Sequence, residues 1–471
     1  MKRLTKIVCT MGPAIDNPET IKKIANLDVK IIRFNFSHQT QQTHKEKIEL
    51  VRRVYKEVNK DIAILLDTKG PEIRCGEFVN DYQDFNAGDI VKISKKEVLG
   101  TKEMFHIQCP ELFDDIKVND YILIDDGKQK ITILENNKDI LVGKIEVTAP
   151  IKTRKGCNVP GVKLTMPFLS EKDKSDIKFG CDIEVDYIAA SFVRRKEDVL
   201  AIRELLDKYN NKNINIIAKI ENKEGFDNIR EILEVADGVM VARGDLGVEI
   251  ETQFVPIYQK QIIKIANQYG KPVITATHML ESMITNHRPT RAEASDVANA
   301  VLDGSDAVML SGETAIGTYP IETITIMSTI CNASEQIIPY AQKLEQSKKT
   351  NKQTIQDAIG IAISDATLNC DISAIIVFTQ GGTTAKRISK FRPSVPIIAV
   401  TFDRNTVASL QTYWGVEPVF STIRNELIND DELASKIAIE YGFKPGELII
   451  ISAGYPTGEG SANMMKIVEI K

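Results

Sequence analysis

Eight short apolar runs, each about the length of a β-strand, alternate with amphipathic segments between Thr5 and Ser311. Parallel strands that are buried on both faces read as continuous apolar runs, and the amphipathic segments between them are the helices that cover the sheet. Eight parallel strands are the number that closes a (β/α)8 barrel. The sequence therefore predicts an α/β protein built on a (β/α)8 TIM barrel. The predicted strands are Thr5–Thr10, Lys30–Phe34, Ile62–Asp67, Asp186–Phe192, Asn215–Glu221, Gly238–Arg243, Pro272–Thr277 and Ala307–Ser311.

Local signals predict the ends of two helices between these strands. Asn17 followed by Pro18 is an N-cap with proline at the first helical position, which predicts a helix over Glu19–Asn26. A second helix is predicted over Glu251–Tyr269, because Gly270 ends it.

The alternation of strands and helices is interrupted once and is followed by a second α/β block. After Pro71, about a hundred residues read as short alternating strands with turn signals such as Asn86-Ala87-Gly88-Asp89, which predicts an inserted β-rich domain. Beyond a polar stretch at Gln342–Gln353, further strands are predicted near Ser373–Thr379, Pro396–Thr401, Pro418–Phe420 and Glu447–Ser452. The predicted domains are residues 1–70 (first part of the barrel), 71–167 (inserted domain), 168–343 (rest of the barrel) and 344–471 (a small C-terminal α/β domain).

The charge balance argues against a nucleic acid or a membrane as partner. Lys and Arg number 60 against 65 Asp and Glu, giving a formal net charge of −5, which is too acidic for general affinity for nucleic acid or anionic lipid. No stretch approaches the roughly 18 apolar residues of a spanning helix, and Met1–Thr10 lacks the apolar core of a signal peptide. The seven cysteines are scattered, odd in number and without metal-ligand spacing, which argues against a disulfide framework or a zinc site. We therefore expect a cytoplasmic protein.

Polar side chains stand at or just beyond the carboxyl end of six predicted barrel strands. The active site of a (β/α)8 barrel lies at this end, because the βα loops meet there above a packed interior. A strand can also turn polar simply where it reaches solvent, but six strands that end this way favour an active site. These residues are Arg33 and Asn35, Asp67, Lys219 and Glu221, Arg243 and Asp245, Thr277, and Ser311 and Glu313.

Two of these strand ends supply a pair of carboxylates. Lys219 and Glu221 are two residues apart, so their side chains point to the same face of one strand, either as catalytic groups or as a structural ion pair. Asp245 follows the next strand in the segment Arg243–Gly247. Two carboxylates together with waters and substrate oxygens suit Mg²⁺, whereas a buried carboxylate pair with no cation would repel itself. The pattern favours a magnesium site at Glu221 and Asp245.

Possible phosphate sites lie outside the barrel strands. Gly381-Gly382-Thr383-Thr384 follows a strand and opens a helix, so its amides and hydroxyls either bind a phosphate or form a plain tight turn. The chain has neither a Walker A motif nor a Rossmann glycine fingerprint. Four cations at the return from the inserted domain serve either phosphate groups or solubility; they are Lys152, Arg154, Lys155 and Lys163.

Taken together, these segments resemble the pyruvate kinase family across nearly the whole chain. The segments that carry the resemblance are 9–13 (CTMGP), 33–38 (RFNFSH), 66–74 (LDTKGPEIR), 218–222 (AKIEN), 241–249 (VARGDLGVE) and 309–315 (MLSGETA). The resemblance implies a barrel interrupted by a β-rich lid and followed by an α/β regulatory domain. It also implies a glycolytic enzyme that transfers phosphate from phosphoenolpyruvate to ADP, giving ATP and pyruvate.

The resemblance assigns roles to individual residues. It places Mg²⁺ or Mn²⁺ on Glu221 and Asp245, and K⁺ on Asn35, Ser37, Asp67 and Thr68. It assigns the phosphoenolpyruvate contacts to Arg33, Lys219, Gly244, Asp245 and Thr277, and the nucleotide contacts to Asn35, Phe36, Ser37, His38, Arg74 and Lys155. Lys219 is then the transition-state stabiliser, with Thr277, Ser311 and Glu313 in the relay that protonates the enolate. A phosphorylated allosteric effector would bind at Thr379, Gly381, Gly382, Thr383 and Thr384, and the assembly would be a homotetramer. The resemblance also implies potassium dependence, because potassium-dependent members of the family carry Glu at the position of Glu72.

The chain departs from the usual family pattern at a few positions. His278 replaces the usual Gln, Cys75 replaces a common Thr, and the effector loop lacks the Lys and Ser of typical sugar-phosphate-activated members. The later loop, Tyr455–Gly460, contains Glu459 and no Arg, so the effector stays open. Two alternatives remain: another Mg²⁺-dependent barrel enzyme acting on phosphoenolpyruvate or an oxoacid, and a catalytically silent metabolite sensor. An intact Lys219 argues against the sensor, because that residue serves only a transition state.

Overall fold

The structure, a computed structural model, describes residues 3–350, 354–422, 430–454 and 462–471. The chain begins with two strand–helix units and a third strand. Asn17 caps the first helix by accepting a hydrogen bond from the Thr20 amide, with Pro18 at the first helical position, as predicted. These elements are β1 (Lys6–Thr10), α1 (Pro18–Asn26), β2 (Ile31–Asn35), α2 (Gln41–Glu57) and β3 (Ala63–Asp67).

The inserted segment after β3 forms a lid with its own β-sheets and its own apolar core. Its strands are β4 (Ile73–Arg74), β5 (Tyr82–Phe85), β6 (Ile90–Ser94), β7 (Met104–His106), β8 (Tyr121–Ile124), β9 (Gln129–Asn136), β10 (Ile140–Ile145), β11 (Ala149–Lys152) and β12 (Gly156–Asn158). The order β4-β12-β8-β9-β10-β6-β7 makes one sheet, and β5 pairs with β11. A 3-10 turn (Val79–Asp81) and a short helix, α3 (Leu112–Asp115), complete the lid. Its buried core includes Phe85, Phe105 and Phe113.

The chain then returns to the barrel and closes it. The remaining strands are β13 (Tyr187–Ala190), β14 (Asn215–Ile220), β15 (Gly238–Ala242), β16 (Val273–Ala276) and β17 (Ala307–Leu310). The helices are α4 (Glu171–Asp182), α5 (Lys196–Lys208), α6 (Lys223–Asp227), α7 (Ile229–Val235), α8 (Arg243–Glu249), α9 (Val255–Tyr269), α10 (Arg291–Asp303), α11 (Gly312–Ala315) and α12 (Pro320–Glu335), with 3-10 segments at Thr252–Phe254 and Glu281–Ile284. The closed order β1-β17-β16-β15-β14-β13-β3-β2 confirms the predicted (β/α)8 barrel.

The barrel closes at its first strand, and one of its helices begins later than predicted. The ring closes at β1, where Val8 is in register with both Met309 and Ile31. The helix predicted over Glu251–Tyr269 starts too early, because α9 begins at Val255 after a 3-10 turn. Proline has no backbone N–H and is tolerated only in the first helical turn, so Pro256 sets the start of α9. Apolar side chains fill the barrel interior, which leaves the chemistry to the strand ends.

The last block is an α/β domain with a five-stranded sheet. Its elements are α13 (Tyr340–Thr350), α14 (Ile355–Asn369), β18 (Ile372–Phe378), α15 (Thr383–Lys390), β19 (Ile397–Thr401), α16 (Arg404–Ser409), β20 (Val416–Phe420), α17 (Asp430–Glu440), β21 (Leu448–Gly454) and β22 (Ala462–Glu469). The order is β20-β19-β18-β21-β22, and β22 is an antiparallel edge strand that sequence analysis missed. The polar stretch at Gln342–Gln353 is helical as far as Thr350. Within the described ranges, no helix is both long and apolar enough to cross a membrane.

Candidate active site

The ammonium group of Lys219 is the centre of a buried cluster at the carboxyl end of the barrel. Its Nζ atom lies 3.1 Å from Asp67 Oδ1 and 3.0 Å from Glu221 Oε1, and donates a 2.7 Å hydrogen bond to Ser191 Oγ. Lys219 lies in β14 and Glu221 directly follows the last residue of that strand, and β3 supplies Asp67 at its last position. The side chain of Lys219 is only 10% exposed. The cluster therefore holds a fixed positive charge out of bulk water.

The electrostatics of the cluster keep both Lys219 and Asp67 charged. Burial alone would lower the pKa of Lys219, but the carboxylates of Asp67 and Glu221 outweigh it and raise that pKa above its ordinary value. Burial alone would raise the pKa of Asp67, but Lys219 and Arg33 bring it below its ordinary value. Arg33 Nε donates a 2.5 Å hydrogen bond to Asp67 Oδ2 and Arg33 Nη1 a 3.1 Å hydrogen bond to Thr10 Oγ1. Asp67 thus lies between two cations.

Glu221 is the member of the cluster whose negative charge is least offset by its neighbours. Burial, opposed by Lys219 and reinforced by Asp245, raises the pKa of Glu221 to about 8. Its Oε2 accepts a 2.5 Å hydrogen bond from the Phe192 amide, whereas Oε1 is buried and has no hydrogen-bond partner. The 3.0 Å approach of Lys219 to Oε1 is an ion pair without hydrogen-bond geometry. A cation between Glu221 and Asp245 would satisfy the bare oxygen and remove the repulsion.

This donor set fits a small divalent cation. Among the described residues, no group of three or more His, Cys, Asp or Glu side chains can hold a metal ion by itself. Glu221 and Asp245 are a two-carboxylate pair, and Asp245 is exposed toward the cleft. Magnesium typically takes one or two carboxylates and completes its shell with waters and substrate oxygens.

The residues predicted to bind potassium come from two neighbouring strand ends. Asn35 and Asp67 are in register across β2 and β3, and Thr68 follows Asp67 directly. Asn35 Oδ1 accepts a 3.1 Å hydrogen bond from the Ser37 amide, and Thr68 Oγ1 accepts one of 3.1 Å from the Ser191 amide. The four predicted residues therefore come from two adjacent strand ends, and Asp67 is already paired with cations of the chain.

Glu72, the residue connected with the potassium prediction, is paired in the structure. It forms ion pairs with Arg74 and, at 3.2 Å, with Lys69. Glu72 therefore makes the local ion pair expected of a hinge residue.

Thr277 lies in a turn held by unusual backbone angles. Thr277 and His278 have φ values of 67° and 52°, in the left-handed region that non-glycine residues seldom adopt. The Thr277 hydroxyl donates a 2.6 Å hydrogen bond to the Ala276 carbonyl and accepts one of 2.8 Å from the Gly244 amide. The Gly244 amide predicted to bind substrate is therefore bonded to Thr277, another predicted substrate residue.

Arg243, grouped by sequence with the residues that converge on the barrel mouth, lies elsewhere. It is 9% exposed and donates a 2.6 Å hydrogen bond from Nη2 to the Thr277 carbonyl. Its Nη1 pairs with Asp296 of α10 at 2.7 Å and bonds Gln259 of α9 at 3.2 Å. Its side chain is held by Gln259 of α9, Asp296 of α10 and the Thr277 carbonyl, which supply its hydrogen-bond acceptors.

Ser311 and Glu313 occupy the end of β17 and the start of α11. Glu313 is fully buried, and its two oxygens accept hydrogen bonds from the amides of Leu280 (3.2 Å) and Ser311 (2.7 Å). Burial raises the pKa of Glu313, opposed by these amides. The Ser311 hydroxyl is buried and has no hydrogen-bond partner in the described part of the chain. Glu313 shapes this loop, and Ser311 keeps a free hydroxyl.

The predicted nucleotide contacts are divided between the barrel and the lid. Ser37 and His38 are exposed, whereas the Phe36 ring is 1% exposed and stacks on His44 at 4.1 Å, so only the Phe36 backbone can contact a ligand. Arg74 lies in β4, and Lys155 precedes the paired strand β12. Lys155 forms a 2.8 Å ion pair with Asp125 inside the lid.

A cleft of about 390 Å³ separates the lid from the barrel. Its lining includes Lys163, Phe192, Asn158, Asp245 and Glu249. Asn158 donates a 2.8 Å hydrogen bond from the lid to Glu249, whose pKa burial raises to about 7. Cys75, by contrast, is buried in the lid core, with its Sγ 3.4 Å from Cys157 Sγ.

Sequence analysis missed Ser191, which follows β13. Its hydroxyl accepts from Lys219, donates to the Thr68 carbonyl at 2.7 Å and lies 3.2 Å from Asp67 Oδ1. Ser191 lies within the predicted strand Asp186–Phe192, whose polar end was left out of the set of six. The rule that polar residues at the carboxyl ends of barrel strands mark the active site would have identified Ser191 at the end of this strand.

The predicted effector loop forms a tight turn between β18 and α15. Gly382 has φ 77° at the N-terminus of α15, and its amide donates a 3.0 Å hydrogen bond to Thr379 Oγ1. Gly381 and Thr383 are exposed. The second predicted loop, Tyr455–Gly460, lies outside the described residues.

Comparison with known proteins agrees with this architecture. Family models match the chain as the pyruvate kinase barrel domain over residues 2–324 and the pyruvate kinase alpha/beta domain over residues 357–468. Pyruvate kinases of Staphylococcus haemolyticus (strain JCSC1435) and Staphylococcus aureus (strain USA300) are 47% and 48% identical, over 99% of this chain and 80% of each relative. The crystal structure of a pyruvate kinase from Cryptosporidium parvum matches with a TM-score of 0.95 at 36% identity, covering 100% of this chain and 96% of that one. The chain therefore belongs to the pyruvate kinase family, whose members transfer a phosphoryl group from phosphoenolpyruvate to ADP.

Proposed function

We propose that the barrel mouth carries out this transfer with Lys219 as the charge that stabilises the moving phosphoryl group. An oxygen of the ADP β-phosphate attacks the phosphorus of phosphoenolpyruvate, the bond from phosphorus to the enolate oxygen breaks, and ATP leaves. Negative charge then grows on the enolate oxygen and on the transferring group. A preorganised ammonium at that place acts where charge develops. The observation that supports the role is the position of Lys219, held within 3.1 Å of two carboxylates and a hydroxyl.

The neighbouring groups bind phosphoenolpyruvate and return a proton to it. Arg33 offers a guanidinium beside Asp67, and the Gly244–Asp245 segment together with Thr277 lies across the mouth from it. The enolate must gain one proton at its methylene carbon to become pyruvate. Thr277 and Ser311 are the hydroxyls for that transfer, with Glu313 fixing the loop that holds Ser311.

Metal ions complete the site in this proposal. The pyruvate kinase family is metal-dependent. Glu221 and Asp245 would hold Mg²⁺ or Mn²⁺, and Asn35, Ser37, Asp67 and Thr68 would hold K⁺. When bound, these cations offset the charge of the phosphates and draw their oxygens into position. The bare Oε1 of Glu221 supports the divalent site.

The remaining parts of the proposal concern the nucleotide, the domains and the assembly. ADP binds where Asn35–His38 face Arg74 and Lys155 of the lid, and domain limits fall at residues 70, 167 and 343. The turn at Thr379–Thr384 binds a phosphorylated effector, supported by the exposed Gly381 and Thr383 at the N-terminus of α15. The enzyme acts in the cytoplasm as a homotetramer.

A coupled assay tests the catalytic part. Purified protein with phosphoenolpyruvate, ADP, Mg²⁺ and K⁺ should form pyruvate, followed as loss of NADH with lactate dehydrogenase, and omission of ADP should abolish it. Lys219→Met should fold normally by circular dichroism yet lose about 10²- to 10³-fold in kcat, the scale of one preorganised electrostatic group. The control is Lys22→Met, an exposed lysine of α1. A folded Lys219→Met enzyme with the kcat of the control would refute the assigned role.

A further inference from the structure

A cavity of about 310 Å³ lies between the barrel and the C-terminal domain. It is lined by the C-terminal ends of α9 and α10, by α13, and by the segment after α15. Because α9 leads into the start of β16 and α10 into the start of β17, the cavity lies at the amino ends of the barrel strands. It is therefore on the opposite face from the active site.

The side chains that line this cavity are strongly unbalanced in charge. One lining carboxylate, Asp303, faces five lining cations. Asp303 is already paired with Lys260 at 2.5 Å. The five cations are Lys260, Lys264, Lys343, Lys390 and Arg392.

Two of the cations have no carboxylate partner among the described residues. Lys343 Nζ donates a 2.7 Å hydrogen bond to the Leu302 carbonyl, and no ion pair reaches it. Burial and repulsion from Arg392, partly offset by the attraction of Asp303, lower the pKa of Lys343 to about 8. Lys264 is exposed at the rim and likewise lacks an ion pair within the described ranges. Ion pairs with Asp303, Asp357 and Asp306 offset the charges of Lys260, Lys390 and Arg392. The charges of Lys343 and Lys264 are the part of the positive field that no ion pair offsets.

Arg392 adds to this field. Its Nη2 lies 3.0 Å from Asp306 Oδ2 and donates hydrogen bonds to Asn267 Oδ1 (2.8 Å) and the Gly304 carbonyl (2.9 Å). Its Nε and Nη1 atoms are buried without a hydrogen-bond partner in the described structure. Buried donors of this kind normally have an acceptor.

A structural role for these cations is the competing explanation. Cations near a helix C-terminus stabilise its free carbonyls, and Lys343 and Arg392 both bond carbonyls at the end of α10. Capping accounts for the one hydrogen bond that Lys343 donates to the Leu302 carbonyl. It does not supply a negative charge to pair with Lys343 or with Lys264. Capping predicts that Lys343→Gln lowers stability, whereas ligand binding predicts that it lowers affinity for the phosphate ester.

We propose that this cavity binds a phosphate monoester. A phosphate dianion supplies two negative charges and three acceptor oxygens. These match the charges of Lys264 and Lys343, which have no ion pair among the described residues, and the unpartnered donors of Arg392. Tyr340 and Trp414 provide aromatic surface beside the cations, and the volume is at the small end of the usual range for ligand pockets. Sugar phosphates and nucleoside monophosphates share this chemistry.

The site is separate from the turn at Thr379–Thr384. That turn lies at the N-terminus of α15, whereas Lys390 and Arg392 lie at its C-terminal end. Eight helical residues span about 12 Å. Binding at one place can therefore be measured with the other disabled.

Trp414, the only tryptophan of the chain, provides the readout. It is 2% exposed, lines the cavity and has the Arg392 guanidinium 5.2 Å from its ring centre. We would titrate the full-length protein with inorganic phosphate, ribose 5-phosphate, AMP and adenosine at constant ionic strength, exciting at the red edge of tryptophan absorption. At least one phosphate ester should change the fluorescence saturably, and adenosine should not. Equal affinity for AMP and ribose 5-phosphate would mean recognition of the sugar phosphate alone, and tighter binding of AMP would mean that the base also contacts the protein.

Variants locate the signal. Lys264→Gln and Lys343→Gln should each raise the dissociation constant about tenfold, the scale of one hydrogen bond to a charged group. The exposed Lys22→Gln should leave it unchanged, and Thr383→Asp with Thr384→Asp should leave the Trp414 titration intact. A titration that is flat for every phosphate ester, or equal in the wild type and in both cavity variants, would overturn the proposal. So would loss of thermal stability in Lys343→Gln with unchanged affinity, which is the result expected of capping.

Discussion

Arg243 Nη2 donates a 2.6 Å hydrogen bond to the carbonyl oxygen of Thr277, the residue that follows the last position of β16. Arg243 Nε lies 3.2 Å from the same oxygen, and Asp296 anchors the other side of the guanidinium. Thr277 and His278 are both in the left-handed region of backbone space, which costs about 1 kcal/mol or more for each such residue. The buried arginine therefore stabilises the turn that positions the Thr277 hydroxyl.

The first prediction follows from the fork shape of this guanidinium. Arg243→Lys keeps the charge opposite Asp296 but cannot make parallel hydrogen bonds, so the Thr277 hydroxyl should shift. We expect kcat to fall about 10- to 100-fold, since misplacement by about 1 Å can cost that much, while KM for phosphoenolpyruvate changes little. Exchange of the pyruvate methyl protons with D₂O, followed by NMR, should slow in parallel. The matched control is Arg230→Lys at an exposed position; lower stability with normal proton exchange would assign Arg243 a structural role only.

Ser191 offers a second prediction. Its hydroxyl is the neutral partner of Lys219 and also contacts Asp67. Ser191→Ala removes one hydrogen bond to a charged group, worth about 1.5 kcal/mol or more, so we expect kcat to fall about tenfold or more with Lys219 still protonated. Steady-state kinetics beside Ser175→Ala, an exposed serine of α4, measures the effect. Equal kcat in the two variants would mean that Lys219 is held by its carboxylates alone.

Potassium dependence is the third prediction, and it concerns Glu72. One unit charge at about 5 Å with an effective dielectric constant near 20 is worth on the order of 3 kcal/mol. We expect wild-type activity to be low in tetramethylammonium buffer and strongly stimulated by K⁺, and Glu72→Lys to be active without K⁺. Because Glu72 is paired with Lys69 and Arg74, Glu72→Gln is the control for loss of those pairs. Equal stimulation of wild type and Glu72→Lys would leave Glu72 with the hinge ion pair as its function.

The fourth prediction is a dependence of stability on pH at Asp186. Burial raises the pKa of this carboxyl to about 6, although its Oδ2 accepts a 2.7 Å hydrogen bond from the Ile64 amide. The folded state therefore holds a proton that the unfolded state loses near pH 4, and the resulting stability is lost as pH rises from about 4 to 6. The loss at neutral pH is on the order of 2 to 3 kcal/mol.

Asp186→Asn removes this loss, because the amide oxygen can still accept the Ile64 hydrogen bond. Its melting temperature should exceed that of the wild type at pH 7.5 and approach it at pH 4.5, as measured by calorimetry. Asp182→Asn, at an exposed position of α4, should show no such difference. A constant offset between wild type and Asp186→Asn at both pH values would contradict the raised pKa.

The barrel could be predicted from sequence because each of its strands is buried on both faces. Tyr187–Ala190 and Gly238–Ala242 are buried at every position, so their apolar runs need no knowledge of partners. The edge strand β22 was missed for the opposite reason. It pairs only with β21, and the exposed Lys466 and Glu469 interrupt its apolar residues. The remaining apolar pairs, Met464-Met465 and Ile467-Val468, are too short to mark a strand.

The site could be predicted only as far as strand ends determine it. Lys219, Asp67 and Glu221 meet because parallel strands present their carboxyl ends at one rim. The direction of Arg243 could not be predicted, because its acceptors come from α9, α10 and the next strand end, which are distant in sequence. The burial of the Phe36 ring could not be predicted either, because the ring stacks on His44 of α2, a contact that the sequence does not reveal.

The closure of the barrel through β1 has a consequence for synthesis of the chain. Cys9 pairs with Leu310, some three hundred residues later, so the ring cannot form until nearly the whole barrel has left the ribosome. At ordinary translation rates this wait is roughly 15 to 60 s. The lid, whose strands lie between Ile73 and Asn158, has no such dependence. We expect it to fold first, as a co-translational intermediate tethered to an open half-barrel whose exposed strand edges need protection from aggregation.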